Sequence, residues 1–91
     1  MDFRYKVGQA VRVRFDLQDG GKEYFMRSGP AANKEIECAT WDMCGFAGKI
    51  VHISAHTGSV YRVKEDPENW RWSDDMFFGP SADGTSFTSL L

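Results

Sequence analysis

The stretch Gln9–Phe15 reads QAVRVRF, with Val11, Val13 and Phe15 alternating against Ala10, Arg12 and Arg14. A period of two marks a strand with one buried face and one wet face, here a basic one. The pattern returns in Lys49–Ser54 (KIVHIS), where Val51 and Ile53 share a face opposite Ile50 and His52. It returns again in Val60–Lys64 (VYRVK), after a turn at His56-Thr57-Gly58-Ser59. No segment carries a long helical period that would cover an open sheet. Short strands without a covering helix must close on one another, because an open sheet this small would leave its edges bare.

The remaining punctuation agrees. Asp19-Gly20-Gly21 and Ser28-Gly29-Pro30 are turn signals, with a short strand expected through Glu23–Met26 between them. Ala31–Cys38 is expected to make one or two helical turns. A second turn at Asp66–Asn69 leads to Trp70-Arg71-Trp72, read as a short strand with both indoles on one face. Ser73–Met76 has the residues for a capped helical or 3₁₀ turn, and Phe77 and Phe78 close the domain. The expected architecture is all-β, a small barrel of about five strands over residues 1–78. Residues 17–40 form a long variable loop, and 79–91 form a flexible tail.

The 91 residues make one domain, and a domain this size has little interior. Burying one large apolar side chain contributes about 1.5–3 kcal/mol, so most of the three Trp, three Tyr and seven Phe are needed inside. The formal net charge is −2 and the isoelectric point about 5.6, which disfavours a protein devoted to gripping phosphate backbones. No apolar run reaches membrane-spanning length, and MDFRYKVGQ is no signal peptide, so the expected location is a cytoplasm. Cys38 and Cys44 are then expected as free thiols.

Together the motifs Val7-Gly8-Gln9-x-Val11-x-Val13, Asp16-Leu17, Met43, Ala47-Gly48-Lys49-Ile50-Val51-x-Ile53, Tyr61-Arg62-Val63 and Trp70-x-Trp72-Ser73-Asp74-Asp75-Met76-Phe77 are distinctive. They resemble a family of small SH3-like domains of bacteriophages and their bacterial hosts, with the mind-bomb SH3 repeats as distant relatives. The resemblance runs from about Tyr5 to Phe78 and implies an SH3-like barrel with a binding role and no catalytic residues. Residues 17–41 are longer than a minimal barrel needs.

Candidate chemistry is sparse. Cys38, Cys44, His52 and His56 are residue types that hold zinc, but five residues separate the cysteines where knuckles usually have two to four. Cys44 with either histidine is the only nucleophile–base pair worth naming, and no nucleophile-elbow sequence surrounds it. Asp74 and Asp75 are adjacent at a helix start, where carboxylates commonly complement the helix dipole. No cofactor is expected.

The aromatic residues Trp41, Tyr61, Trp70, Trp72 and Phe77 are the best binding candidates, against the competing demand of the core for the same rings. Arg4, Arg12 and Arg14, with Lys6, offer a basic face for phosphate or an acidic partner, or simply a solvated strand face. The leading expectation is a non-catalytic module that binds a protein. The form envisaged is a phage or mobile-element accessory protein that inhibits or redirects a host defence protein, in the host cytoplasm. The alternatives are a nucleic-acid-binding barrel of Tudor or KOW type and, third, a small metal-binding or enzymatic domain.

Overall fold

A computed structural model describes residues 2–81. The elements, in chain order, are β1 (Ala10–Val13), β2 (Glu23–Phe25), β3 (Ile36–Cys38), a helical turn α1 (Trp41–Cys44), β4 (Ile50–Thr57), β5 (Val60–Val63), a 3₁₀ turn (Asp74–Met76) and β6 (Phe77–Pro80). Four strands form an antiparallel sheet in the order β5-β4-β1-β6, and β2 and β3 form a separate antiparallel ribbon. The fold is all-β with little helix.

The period-two reading of β1 and β4 holds. Val11 lies opposite Val51, and both are buried, whereas Arg12 lies opposite Ile50 on the wet face. Antiparallel partners point to the same side of the sheet, so this register stacks Val11 on Val51 and sends Val13 and Ile53 into the same core. The β4–β5 hairpin turns through two residues, Gly58-Ser59, with Thr57 opposite Val60. Gly58 sits at φ +64, the left-handed conformation that a two-residue hairpin requires. The strand therefore runs on through His56 and Thr57, which had been expected in the turn.

Several expectations are corrected. Phe15 does not continue the buried face of β1: the strand ends at Val13, the chain turns, and Leu17 enters the core while Phe15 is 73% exposed. Residues 17–40 are not a bare loop. They carry the β2–β3 ribbon, whose Tyr24 and Met26 are fully buried. The segment 31–38 makes one turn at 31–34, with the Glu35 N–H donating to the Ala31 carbonyl at 3.0 Å, but its end is β3 rather than a second helical turn, because pairing with β2 satisfies those backbone groups. The domain does not end at Phe78, since Gly79 and Pro80 pair with Arg12 and Val11 in β6. The rest of the expected flexible tail, 82–91, lies outside the described residues.

Two buried carboxylates organise the second half of the chain. Asp66 accepts hydrogen bonds from the backbone N–H of Glu68 at 2.9 Å and of Trp70 at 2.7 Å, and from the Trp72 indole at 3.0 Å. This turn sends Trp72 inward, stacked 5.7 Å from Phe77, and leaves Trp70 at the surface. The two indoles therefore do not share a face, and Trp72 contributes only an isolated bridge to Tyr61. Asp74 accepts from the Tyr61 hydroxyl at 2.7 Å, the Ser28 hydroxyl at 2.8 Å and the Arg27 backbone N–H at 2.7 Å. Asp75 accepts from the Phe25 backbone N–H and from the Arg27 guanidinium. The adjacent aspartates thus pin the ribbon to the 3₁₀ turn rather than capping it, and Ser73 donates its hydroxyl to the Tyr24 carbonyl instead. Burial, with Asp74 alongside, pushes the Tyr61 phenol well above its usual range.

Glu65 ties the end of β5 to β4, accepting from the His52 backbone N–H at 2.9 Å and contacting His52 Nδ1 at 2.7 Å. Partial burial pushes its pKa up, but the two His52 contacts outweigh that and hold the carboxyl below its ordinary value. The stability this carboxylate contributes is present above the unfolded pKa of about 4.3 and is lost as pH falls through the lower folded value. Glu65→Gln is expected to cost about 0.5 kcal/mol at pH 7 and to reduce the loss of stability on acidification. Urea unfolding at neutral pH and near pH 3 checks this; an unchanged acid sensitivity would exclude Glu65 as a contributor.

Candidate binding groove

Thr40 opens α1, its hydroxyl accepting from the Met43 backbone N–H at 3.2 Å. One helical turn then sends Met43 into the core and leaves Trp41 78% exposed, the most exposed large apolar side chain among the described residues. Met43 also forms part of a groove of about 520 Å³ bordered by Glu37 and Cys38 of β3, Arg62 of β5 and the Glu68–Arg71 turn. Trp70, 36% exposed, stands on its rim. A smaller cleft of about 360 Å³ is lined by Trp41, Asp42, Cys44 and Gly45, so α1 borders both.

Ion pairs across different elements frame the groove. The Arg71 guanidinium donates to Glu37 at 2.9 Å and to Glu35 at 3.1 Å, joining the tryptophan turn to the ribbon. Arg62 donates to the Asn69 carbonyl at 2.6 Å. Burial and the neighbouring Glu35 raise the Glu37 pKa against the pull of Arg71. The result is a groove with a partly exposed indole and Met43 in its lining. Glu35 and Glu37 hold Arg71, and the Asn69 carbonyl holds one end of Arg62, whose buried Nε has no hydrogen-bond partner among the described residues.

The predicted site residues divide sharply. Trp41 and Trp70 lie at the surface beside these clefts. Tyr61 and Trp72 are wholly buried and Phe77 nearly so, which corrects their reading as contact candidates: the core took them, as a small domain requires. On the basic face, Arg12 donates to the Gly48 carbonyl at 2.7 Å, and Arg14 is paired with Asp16 at 2.8 Å. Arg4 and Lys6 are exposed near the start of the chain, and the Arg4 backbone N–H donates to Ser28.

The four zinc-type residues are not brought together. His52 is engaged with Glu65, and His56 contacts the Tyr5 carbonyl through Nε2 at 2.7 Å and stacks on Phe3. Cys38 is exposed on the groove, and burial raises the Cys44 thiol pKa, away from the thiolate a nucleophile needs. Among the described residues no three His, Cys, Asp or Glu side chains converge as metal ligands. No helix of the described residues is long and apolar enough to cross a membrane.

Reading the sequence missed the Arg71–Glu35–Glu37 frame and the exposed ring pair Phe15–Phe78. The Arg71 frame depends on β3, which lies at the end of a segment expected to make helical turns. Phe15 fitted the alternation of β1 so well that no local signal marks its exit. No protein-family model matches the chain, and no curated protein or solved structure is significantly similar to it.

Proposed function

We propose that this chain is a non-catalytic protein-binding module built on a small SH3-like barrel, with the groove beside Trp70 and Trp41 as its docking surface. The observation that carries the reading is the pair of exposed indoles bordering adjacent clefts, while Trp72 and the three tyrosines are buried. A flat ring at a preformed groove gives contact area at small entropic cost, and tryptophan is enriched among residues that dominate interfaces. The ribbon anchored through Asp74 and Asp75 to the 3₁₀ turn that leads into β6 supports a barrel-like closure. The resemblance to phage and bacterial SH3-like domains implies a binding role without specifying what is bound. The module would be an accessory protein that docks on a host protein in the host cytoplasm and blocks or redirects it.

The test is affinity capture of tagged protein from bacterial host lysate at low and high salt, with nuclease-treated controls. A protein partner is expected to survive high salt, and Trp70→Ser or Trp41→Ser is expected to weaken its capture about tenfold or more. Recovery that is salt-labile and nuclease-sensitive would replace this reading with a nucleic-acid-binding barrel using Arg4, Arg12 and Arg14. Capture unaffected by both tryptophan variants would move the docking surface elsewhere.

A further inference from the structure

The two edges of the β2–β3 ribbon are treated differently. On β2, the Phe25 N–H donates to Asp75 at 3.3 Å and the Arg27 N–H to Asp74 at 2.7 Å, whereas the Met26 N–H donates to the Glu35 carbonyl at 2.9 Å. Alternate residues of a strand send their main-chain groups to opposite sides. The outer edge of β2 is therefore met by the aspartates, and the Glu37 main chain, opposite Tyr24, faces β2. Ile36 and Cys38 then send their N–H and C=O groups away from β2, where nothing among the described residues pairs with them. The groove is lined by Glu37 and Cys38 but by no residue of β2, so it lies along this bare edge. Its opposite wall repeats the pattern. The Trp72 N–H and C=O both pair with Tyr61, at 3.0 and 2.9 Å, so those of Arg71 point away from β5, again without a partner among the described residues. The groove is thus a seam between two stretches of unpaired main chain, crossed by the Arg71 side chain on its way to Glu35 and Glu37.

We infer, resting on the reading of this groove as a docking surface, that an extended segment of a partner protein enters the seam as an added strand. Its main chain pairs with Ile36 and Cys38 on one side and with Arg71 on the other. Unpaired N–H and C=O groups at strand spacing are complementary to another strand, and such edges recruit extended peptides. Charge does not select the occupant. The lining carries two carboxylates, Glu37 and Glu68, and two guanidiniums, Arg62 and Arg71, and Arg71 already holds Glu37. A second copy does not fit, because its own β3 edge is recessed behind its own Glu68–Arg71 turn, and two recessed edges do not meet. A single extended segment does fit. Its side chains alternate between the two faces, and Trp70 on the rim offers a ring to one of them.

The probe is a linear peptide selected from a randomised display library on the immobilised full chain. In the free chain, amide hydrogen exchange is expected to be fast at Ile36, Cys38 and Arg71 and slow at Glu37. Bound peptide is expected to slow the first three about tenfold or more. Cys38→Pro removes an outward N–H and leaves the bonds to β2, so affinity is expected to fall about tenfold, whereas Cys38→Ser leaves it unchanged. Peptide N-methylated on alternate residues is expected to lose about tenfold or more in one phase and less in the other. That arm keeps the test open if circular dichroism shows that Cys38→Pro does not fold. A library that yields no binder overturns the inference, and so does a peptide that leaves the three amides fast and is indifferent to phase. If Trp70→Ser still weakens that peptide, the docking surface stands and only the added strand is lost. Ile36 and Cys38 amides already slow in the free chain overturn it too: slow at every concentration, the chain covers its own edge; slow only when concentrated, a second copy does.

Discussion

Asp74→Ala is expected to destabilise the fold by about 3–4 kcal/mol, read as a fall in the urea midpoint at unchanged slope. The carboxylate is almost wholly buried and accepts three hydrogen bonds, from Tyr61, Ser28 and the Arg27 backbone. Removing it strands those donors where water does not reach, and each orphaned buried donor costs about 1–3 kcal/mol. The full sum is not expected, because the Tyr61 and Ser28 hydroxyls lie 3.2 Å apart and keep each other as partners. Domains of this kind have about 5–15 kcal/mol of stability in total, so the loss is a large fraction. Asp74→Asn keeps one acceptor oxygen but turns a donor toward other donors, and is expected to recover only part of the loss. Hydrogen exchange at the Arg27 amide should quicken in both variants. A cost under about 1 kcal/mol would show that the ribbon is held without this network.

Val13→Asp and Val51→Asp are expected to abolish cooperative unfolding altogether. Both positions are at most 1% exposed and belong to the apolar core cluster. Burying an unpaired carboxylate, or protonating it to avoid doing so, costs about 5 kcal/mol or more when the lost packing is added. Arg12→Ala, one position along the same strand as Val13, is expected to stay within about 0.5 kcal/mol of the parent, since it removes a single exposed bond to the Gly48 carbonyl. Thermal unfolding followed by circular dichroism separates these outcomes. Equal midpoints for the aspartate and alanine variants would mean that the two faces of β1 have been exchanged.

Both expectations concern β1 and the Asp74 turn, but the two were not equally legible in the chain. The faces of β1 and β4 could be read directly, because alternation records which side each residue shows to water. Asp74 was legible only as a residue of a short helical turn. That its carboxylate would reach back to Arg27 and Ser28, some 46 positions earlier, depends on where the ribbon docks. Position in the chain carries no record of such a pairing. The groove divides in the same way. Trp41 and Trp70 were among the named aromatics, yet so were Tyr61 and Trp72, and composition cannot apportion rings between core and surface. The Asp66 carboxylate made the choice for one pair: by catching the Trp70 backbone and the Trp72 indole together, it forced one ring out and the other in.

By itself the sequence determined the all-β class, the buried faces of β1 and β4, the β5 return and the place of the 3₁₀ turn. Each of these follows from residues adjacent in the chain, through side-chain period or turn chemistry. Only the tertiary structure decided that residues 17–40 hold a paired ribbon, that β6 extends to Pro80, that Phe15 leaves the core and that Trp70 faces a groove. Those outcomes rest on hydrogen bonds and packing between segments far apart in sequence, whose free energies exist only once the segments have met.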